Sequence, residues 1–273
     1  KSGIAAAKLA KKHGADVYLT EGKKEVNNDS VTELENLGIH VEFGTHSDEF
    51  IKGSKLVITS PGIPPHSEVM QRIKKENIPV ISELELTNRE SKTPFIIITG
   101  TNGKTTTTAL TEHILSKSLN VKACGNIGQP PSDFADTNLD YFVCEASSFQ
   151  LEMTPDLTPY IAVWTNFTPD HVDWHQGLEN YFNAKAKVFT GKQTAKYCVL
   201  NAKDPKLLEL SKEVTGTVFM FAQNLGENCC YVENGEIIFK QNSKHESIIK
   251  LSDCPLIGEH NYQNIMCAII CAK

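Results

Sequence analysis

The sequence predicts an α/β protein made of two parallel-sheet domains. Short β-branched runs alternate along the chain with segments of helical periodicity, which is typical of parallel sheets covered by helices. The 273 residues are 40% hydrophobic and 22% charged, which is enough for two globular domains with hydrophobic cores. A polar stretch from Asn88 to Thr93, followed by Pro94, predicts the linker between them.

The first domain, residues 1–92, is predicted to be Rossmann-like. Its opening helix lacks the strand that normally precedes it in a βα unit, so we expect the first strand of the domain to be missing from this chain. Gly14 and Gly38 are expected to end helices. The predicted strands are Asp16 to Thr20, Ile39 to Phe43, Leu56 to Thr59 and Pro79 to Ile81.

Two places in this domain are candidates for substrate binding. Ligands of open parallel sheets gather beyond the carboxyl ends of the strands, which directs attention to Thr20 and to the segment from Ser60 through Gly62. The sequence Ser-Pro-Gly also forms tight turns, and the residues alone favour that explanation for the second candidate.

The second domain, residues 93–273, is richer in hydrophobic strands. Residues Tyr181 to Phe189 are predicted to form an amphipathic helix, and an apolar helix ends the chain at Lys273 without a C-cap. A hairpin is predicted from Tyr231 to Phe239, with its turn at Asn234-Gly235. The other predicted strands are Phe95 to Thr99, Val121 to Ala123, Tyr141 to Glu145, Ile161 to Thr165, Tyr197 to Leu200 and Val218 to Phe221.

The strongest local motif is FIIITGTNGKTTTT, from Phe95 to Thr108. Gly100 and Gly103 allow backbone amides to close on an anion. Lys104 supplies a positive charge, and Thr105 supplies a hydroxyl for Mg²⁺. The loop is shorter than the common G-x-x-x-x-G-K-[ST] pattern, and a plain glycine turn beside a solvated lysine is the alternative. The motif favours a P-loop-type domain that binds a nucleoside triphosphate, ATP.

Polar residues follow the carboxyl ends of several predicted strands in this domain. Gly100, Glu145 and Asn166 each stand at or just after such an end, so we expect them to meet at one edge of the sheet. A carboxylate there can hold the Mg²⁺ that a loop hydroxyl and phosphate oxygens also bind, and Glu145 is the candidate. An ordinary surface acid at the start of a loop is the alternative.

Motifs along the whole chain resemble those of the Mur ligases, the ATP-dependent amino-acid ligases of peptidoglycan synthesis, and of the related folylpolyglutamate synthases. They are TGTNGKTTT from Thr99, GNIG from Gly125, EASSFQLE from Glu145, NFTPDHVD from Asn166 and GEHNYQN from Gly258. Within the family, the Ser-Ser-Phe-Gln-Leu-Glu stretch points to the member that adds D-glutamate.

The resemblance implies an ADP-forming ligase that joins D-glutamate to UDP-N-acetylmuramoyl-L-alanine through an acyl phosphate, in the cytoplasm. A third, C-terminal domain of the family is absent from this chain, so we expect the chain to bind ligands with hardly any turnover. Another Mur ligase or a folylpolyglutamate synthase is the enzymatic alternative. A remnant or sensor that binds nucleotide and UDP-sugar without turnover is the non-enzymatic alternative, and the intact set of predicted catalytic residues argues against it.

The resemblance also implies roles for individual residues. The expected catalytic residues are Lys104, Glu145, His171 and Lys185, and the expected Mg²⁺ ligands are Thr105, Glu145, His171 and Lys185. The expected ATP contacts are Gly100, Thr101, Asn102, Gly103, Lys104, Thr105, Thr106, Asn261 and Asn264. The expected sugar-substrate contacts are Thr20, Ser60, Gly62, Asn126 and Ser147.

Two magnesium ions are implied, and Lys185 takes the place of a lysine that CO₂ carbamylates into a metal ligand. Without the resemblance, Lys185 is an ordinary solvated charge on a helix, and His171 is more often solvated or structural than a ligand. Asn261 and Asn264 are equally well explained as caps of the last helix.

Composition narrows the possible partners. A formal net charge of -6 gives no reason to expect nucleic acid or an anionic membrane, and no apolar run approaches the ~20 residues that span a bilayer. The eight cysteines are scattered without a CxxC pair, as in a reduced cytosolic protein. The expected partners are therefore small molecules, and a monomer is expected.

Overall fold

The computed structural model describes residues 1–24 and 28–273. Contacts divide the chain into two compact units with a main boundary between Lys92 and Thr93. Unit 1 contains residues 1–92, 129–137 and 153–155, and unit 2 contains residues 93–128, 138–152 and 156–273. The predicted α/β class is confirmed, whereas the ligand that each domain binds stays a prediction.

Unit 1 consists of two separate pairs of parallel strands surrounded by helices. The strands are β1 (Tyr18–Glu21), β2 (His40–Phe43), β3 (Val57–Thr59) and β4 (Val80–Ser82), and β1 pairs with β2 while β3 pairs with β4. Within residues 1–24 and 28–273, no strand joins the two pairs. The helices are α1 (Ser2–Lys12), α2 (Asn28–Asn36), α3 (Asp48–Ile51), α4 (Glu68–Lys75) and α5 (Glu83–Glu90).

The core of unit 1 explains why α1 forms where the sequence predicts it. Its small apolar residues, Ala6 and Ala7, point to two different hydrophobic clusters, one around Ile81 and one around Ile39. Each predicted strand starts one or two residues before the observed one. Val17, Ile39 and Leu56 at these positions pack in the hydrophobic clusters of the unit. Burial of apolar surface, and not strand pairing alone, therefore holds this unit together.

Unit 2 is built on one sheet with the strand order β13-β12-β11-β10-β9-β8-β5-β7-β6 in the described part of the chain. Its strands are β5 (Phe95–Thr99), β6 (Val121–Gly125), β7 (Tyr141–Glu145), β8 (Ile161–Trp164), β9 (Tyr197–Asn201), β10 (Thr217–Phe221), β11 (Cys229–Glu233), β12 (Glu236–Gln241) and β13 (Lys244–Lys250). Its helices are α6 (Lys104–Leu115), α7 (Ser148–Glu152), α8 (Val172–His175), α9 (Leu178–Ala186), α10 (Pro205–Leu210) and α11 (Glu259–Ala272).

The centre of this sheet determines where polar residues can gather. Strand β5 is buried along its whole length and lies between β7 and β8, parallel to both. In the observed registers, Ile98 pairs with Glu145 and Thr99 pairs with Trp164. The three strands therefore end at the same edge, as the sequence predicts. Helices α6 and α11 pack against each other and contribute to the main core of the unit.

The far end of the sheet is antiparallel and contains a strand that the sequence analysis missed. The hairpin of β11 and β12 turns at Asn234-Gly235 as predicted, and β13 then pairs antiparallel with β12. Strand β13 reads KHESIIK and is mostly exposed at the edge of the sheet. An edge strand needs little apolar alternation, so its sequence resembles a loop. None of the helices in residues 1–24 and 28–273 is long and apolar enough to cross a membrane.

Candidate functional site

The glycine loop between β5 and α6 has a backbone that L side chains rarely adopt. Gly100 has φ +147° and Gly103 has φ +82°, and Gly103 is the residue from which α6 starts. A Cβ atom on Gly100 would lie 2.0 Å from Oγ1 of Thr165, which leaves no room for a side chain. The loop therefore requires glycine at both positions, and the amino end of α6 is open to an anion.

A second loop, residues 165–168, fixes the glycine loop. The amide of Thr101 donates to the carbonyl of Asn166 at 3.0 Å. The amide of Asn102 donates to Oδ1 of Asn166 at 2.9 Å, and Nδ2 of Asn166 returns a bond to the carbonyl of Asn102 at 3.0 Å. Asn166 follows the carboxyl end of β8, which was the sequence signal for it, but its contact with the loop could not be read from that position alone.

Two lysine side chains meet at the carbonyl of Gly100. Nζ of Lys104 donates to this oxygen at 3.0 Å and to the carbonyl of Thr101 at 2.9 Å. Nζ of Lys185 donates to the carbonyl of Gly100 at 3.1 Å and to Oγ1 of Thr99 at 3.2 Å, and it lies 4.9 Å from the centre of the Tyr181 ring. Both cations of the predicted site therefore lie at one point of the loop.

The electrostatics of the two lysines differ because Lys185 is only 2% exposed. Burial, and then the charge of Lys104, lower the pKa of Lys185 to about 7. Burial also lowers the pKa of Lys104, while the charges of Glu145 and Asp170 act in the opposite direction. The amine of Lys185 is therefore substantially neutral near pH 7 and available as a nucleophile.

Glu145 links the glycine loop to the neighbouring strand. Its Oε2 accepts a hydrogen bond from Oγ1 of Thr105 at 2.8 Å, and its Oε1 accepts one from Nδ2 of Asn126 at 3.3 Å. The residue is 2% exposed, at the carboxyl end of β7. The structure thus brings together a carboxylate and a hydroxyl that the sequence analysis assigned to the same metal ion.

His171 lies in a strained turn beside this group. It has φ 49°, and its ring centre lies 4.7 Å from that of Phe149. Its Nε2 is 3.5 Å from Oδ2 of Asp170, and about half of its side chain is exposed. A backbone held at positive φ in a non-glycine residue is often found at functional sites. The exposed imidazole can reach a ligand without unfolding the turn.

A second histidine, at the end of the short helix α8 that follows this turn, was not predicted as a site residue. His175 is buried, and its Nε2 lies 2.8 Å from Oγ of Ser148 at the start of α7. Burial, followed by the charges of Lys185 and His171, lowers its pKa to about 4, so the imidazole is neutral at physiological pH. His175 therefore acts as a fixed hydrogen-bonding group between α8 and α7.

A cleft of unit 2 contains several of the predicted site residues. Ser147 lies at this cleft, with Oγ donating to Oε1 of Gln150 at 3.0 Å. Tyr181, which was not predicted, contributes its ring. The predicted residues that line the cleft are Gly100, Lys104, Asn126, Ser147, His171 and Lys185.

Of the remaining residues predicted to contact nucleotide, two lie in the first turns of helices and one is buried behind the glycine loop. Thr106 lies in the first turn of α6, and Asn261 lies in the first turn of α11, with Nδ2 donating to the carbonyl of Ile257 at 2.9 Å. Asn264 is buried behind the loop, and its Oδ1 accepts a hydrogen bond from Oγ1 of Thr107 at 3.2 Å. In this arrangement Asn264 supports the loop, and its contact with nucleotide stays a prediction.

The predicted sugar-substrate residues of unit 1 lie at the carboxyl ends of its strands. Oγ1 of Thr20 lies 3.0 Å from Oε1 of Glu42 and 2.8 Å from Nδ1 of His46. Ser60 begins a tight turn in which the amide of Ile63 donates to its carbonyl at 3.1 Å, and Gly62 lies inside that turn. The turn predicted from Ser-Pro-Gly is therefore present, and its contact with substrate stays a prediction.

Within residues 1–24 and 28–273, no group of three or more His, Cys, Asp or Glu side chains forms a cluster that could hold a metal ion alone. The oxygen set around Glu145 and Thr105 nevertheless suits Mg²⁺, because this ion usually takes one or two protein carboxylates and completes its shell with water and phosphate oxygens. The site fits a metal that arrives with a nucleotide.

A family model and similar named proteins point to the same protein family. Residues 98–272 match the Mur ligase middle domain. A protein of Caldanaerobacter subterraneus subsp. tengcongensis named UDP-N-acetylmuramoylalanine--D-glutamate ligase is 38% identical over 273 residues, which is 98% of this chain and 60% of that protein. A protein of the same name from Staphylococcus aureus is 36% identical over 99% of this chain and 60% of its own length. The chain spans about 60% of the length of these relatives.

Solved structures agree on the fold. The UDP-N-acetylmuramate:L-alanyl-gamma-D-glutamyl-meso-diaminopimelate ligase of Neisseria meningitides has a TM-score of 0.62 at 22% identity and covers 99% of this chain and 89% of its own. The UDP-N-acetylmuramate-alanine ligase of Thermotoga maritima has a TM-score of 0.52 at 23% identity and covers 98% of this chain and 62% of its own. At these identities the likeness concerns the architecture of the chain.

Proposed function

The chain belongs to the Mur ligase family, and from this premise we propose that it is the nucleotide-binding part of a ligase that joins D-glutamate to UDP-N-acetylmuramoyl-L-alanine with ATP. The choice of D-glutamate as the added amino acid rests on the two curated relatives and on the Ser-Ser-Phe-Gln-Leu-Glu stretch, which begins at Ser147. The reaction is expected in cytoplasmic peptidoglycan precursor synthesis.

The observation that carries the proposal is the convergence of charges at the glycine loop. The amino groups of Lys104 and Lys185 share the carbonyl of Gly100, while the carboxylate of Glu145 bonds to the hydroxyl of Thr105. The charge of Lys104 beside an open helix terminus suits the phosphates of ATP, and a carboxylate next to a loop hydroxyl suits their magnesium ion. A glycine turn with a solvated lysine would not bring these groups together.

Thr105, Glu145 and His171 would hold a magnesium ion, which would offset charge on the transferring phosphoryl group when bound. Two ions are proposed, with Lys185 as a ligand in carbamylated form. The lowered pKa of Lys185, about 7, supports this modification, because a neutral amine can attack the carbon of CO₂ and lose its proton to give a carbamate. The product would replace a buried amine by an oxygen ligand.

The chemistry follows from the poor reactivity of a carboxylate toward amines. A carboxylate oxygen of the terminal alanine attacks the γ-phosphorus of ATP, the bond to the β,γ-bridging oxygen breaks, and ADP leaves. The amine of D-glutamate then attacks the acyl carbon, phosphate leaves, and the amine proton passes to solvent or phosphate. Lys104 stabilises the phosphoryl charge in the first step, and amides of the glycine loop orient the phosphates.

The binding of substrate is proposed at two surfaces. Asn126 and Ser147 are proposed to contact the sugar-peptide at the cleft of unit 2, and Thr20, Ser60 and Gly62 are proposed to contact the UDP end. Asn261 is proposed to contact the adenine. The protein is expected to act as a monomer.

Phosphate release from ATP tests the proposal in the full-length protein. UDP-N-acetylmuramoyl-L-alanine and D-glutamate are supplied separately and together, and Lys104→Ala serves as the inactive control. Release that needs both substrates and is lost in the control supports the ligase. Release that is indifferent to either substrate contradicts it, and release with a different amino acid transfers the proposal to another Mur ligase or a folylpolyglutamate synthase.

A further inference from the structure

Asn201 and Asp204, which no motif singled out, bond to the backbone of the 165–168 loop. Asn201 is the last residue of β9, the neighbour of β8 in the sheet, and Asp204 follows three residues later. Nδ2 of Asn201 donates to the carbonyl of Thr165 at 2.9 Å. Oδ2 of Asp204 accepts a hydrogen bond from the amide of Phe167 at 2.7 Å. The two side chains therefore bond to the residues on either side of Asn166.

The 165–168 loop is in turn hydrogen-bonded to the glycine loop. Asn166, between the two bonded residues, makes three hydrogen bonds to the backbone of Thr101 and Asn102. Oγ1 of Thr165 adds a bond to the carbonyl of Asn102 at 2.6 Å. A displacement of the 165–168 backbone would thus move the glycine loop at Thr101 and Asn102, and with it the amino end of α6 at which an anion would bind. We propose that Asn201 and Asp204 act as positioning residues that hold the glycine loop in its anion-binding form.

Asp204 is well suited to this role because its two oxygens have separate tasks. Oδ1 caps α10 by accepting from the amides of Lys206 at 3.1 Å and Leu207 at 3.4 Å. Oδ2 is left for the amide of Phe167. A helix cap fixes the carboxylate against the backbone, so the loop amide meets a charged acceptor whose orientation is already set.

Further hydrogen bonds also fix the side chain of Asn201. It is 4% exposed, its Oδ1 accepts the amide of Lys203 at 2.9 Å, and its Nδ2 also lies 3.1 Å from Oε1 of Gln263 on α11. The ring of Phe167 packs against those of Trp164, Tyr181 and Phe182. The loop is therefore fixed by aromatic packing on its side chain and by the Asn201–Asp204 pair on its backbone.

The two functions of Asp204 can be separated by substitution. Asp204→Ser keeps a good N-cap but is too short to serve the amide of Phe167 as well. Asp204→Asn also keeps a capping oxygen. Its NH₂ group then faces the Phe167 amide, and no hydrogen bond forms because both groups are donors. Glu209→Gln on the exposed face of α10 removes the same charge without contacting the loop and is the matched control.

Hydrogen exchange of the backbone amides tests the proposal without nucleotide. Exchange at Phe167, Thr101 and Asn102 is expected to rise at least about tenfold in both Asp204 variants, the lower end of what loss of one charge-assisted hydrogen bond produces, and to stay unchanged in Glu209→Gln. Unchanged exchange at Phe167 overturns the contact. A rise confined to Phe167 overturns the transmission to the glycine loop.

The consequence for ligand binding rests on the proposed function. The dissociation constant of ADP with magnesium chloride, measured at a temperature where every variant is fully folded, is expected to rise about tenfold in both Asp204 variants and to stay unchanged in Glu209→Gln. Unchanged affinity with faster exchange at Thr101 and Asn102 overturns the positioning role. If the unsubstituted chain does not bind ADP, the proposed function fails, and the exchange results still decide whether Asp204 holds the loop.

Discussion

Replacement of Gly103 by alanine tests the contact between the glycine loop and α11. Gly103 has φ +82°, and a Cβ atom there would lie 2.4 Å from Oδ1 and 3.3 Å from Cγ of Asn264. Asn264 is 6% exposed and accepts a hydrogen bond from Thr107, so it cannot turn away without losing that bond. The substitution therefore adds a steric conflict to a strained backbone.

The two costs can be estimated separately. An L residue in the left-handed region costs about 1–2 kcal/mol. Overpacking of a filled site costs roughly 1–3 kcal/mol more. Gly235 in the β11–β12 hairpin has φ +78° with nothing within 4 Å of its Cβ position, so Gly235→Ala carries the backbone cost alone. Gly103→Ala is therefore expected to lower the free energy of unfolding by about 1–3 kcal/mol more than Gly235→Ala.

Urea unfolding followed by tryptophan fluorescence measures this difference. The two tryptophans, Trp164 and Trp174, both belong to unit 2, so the signal reports the unit that contains both glycines. Asn264→Ala removes the conflicting atoms, and in the double variant the extra cost of Gly103→Ala should largely disappear. Equal destabilisation by the two glycine substitutions, or strict additivity of Gly103→Ala with Asn264→Ala, would refute the reasoning.

Three further outcomes are expected. Thr105→Val should weaken the binding of ADP about tenfold when magnesium is present and much less when it is absent, because the lost hydroxyl is a ligand of the metal. Calorimetric titrations measure both affinities, and an equal loss of affinity with and without magnesium would contradict this. In CO₂-free buffer the free energy of unfolding should rise from pH 7 to about 10, because unfolded Lys185 still holds a proton that the native amine, with a pKa of about 7, has lost. Lys185→Met should remove this rise, and an unchanged rise would refute the assignment. Stability should fall as the pH decreases from about 6.5 to 4, because unfolded His175 takes up a proton that the native imidazole, with a pKa of about 4, does not. The same titration of His175→Gln should be flatter, and an identical slope would contradict this.

Local sequence signals predicted the central strands of unit 2 well. Strands β5 and β7 have the predicted bounds, because a continuous apolar run buried on both faces ends where the first polar or glycine residue appears. The loop at Gly100 and Gly103 was also predictable, since only glycine tolerates its backbone. Strand β13 was missed because an exposed edge strand does not need alternating apolar residues.

The site was predictable where a residue's role follows from its position at a strand end, and unpredictable where it depends on a partner far away in sequence. Glu145 and Asn166 were identified because polar residues at the ends of parallel strands meet at one edge. His175 was not identified, because nothing near it in sequence indicates that its imidazole is buried against Ser148. Asp204 resembles an ordinary N-cap, and its second contact, with Phe167, becomes visible only in the fold.

The sequence by itself determined the α/β class, the glycine loop and the chemistry of the groups around it, because these depend on local backbone preference and on the alternation of strands and helices. The tertiary structure decided which hydrogen-bond donors and acceptors of the site lie within bonding distance of each other. It buried Lys185 beside Lys104, which lowers the pKa of Lys185, and it set Asn264 behind Gly103. The lowered pKa arises from desolvation, and the close contact arises from the distance between groups that are far apart in the sequence. Neither can be read from the residues that are neighbours along the chain.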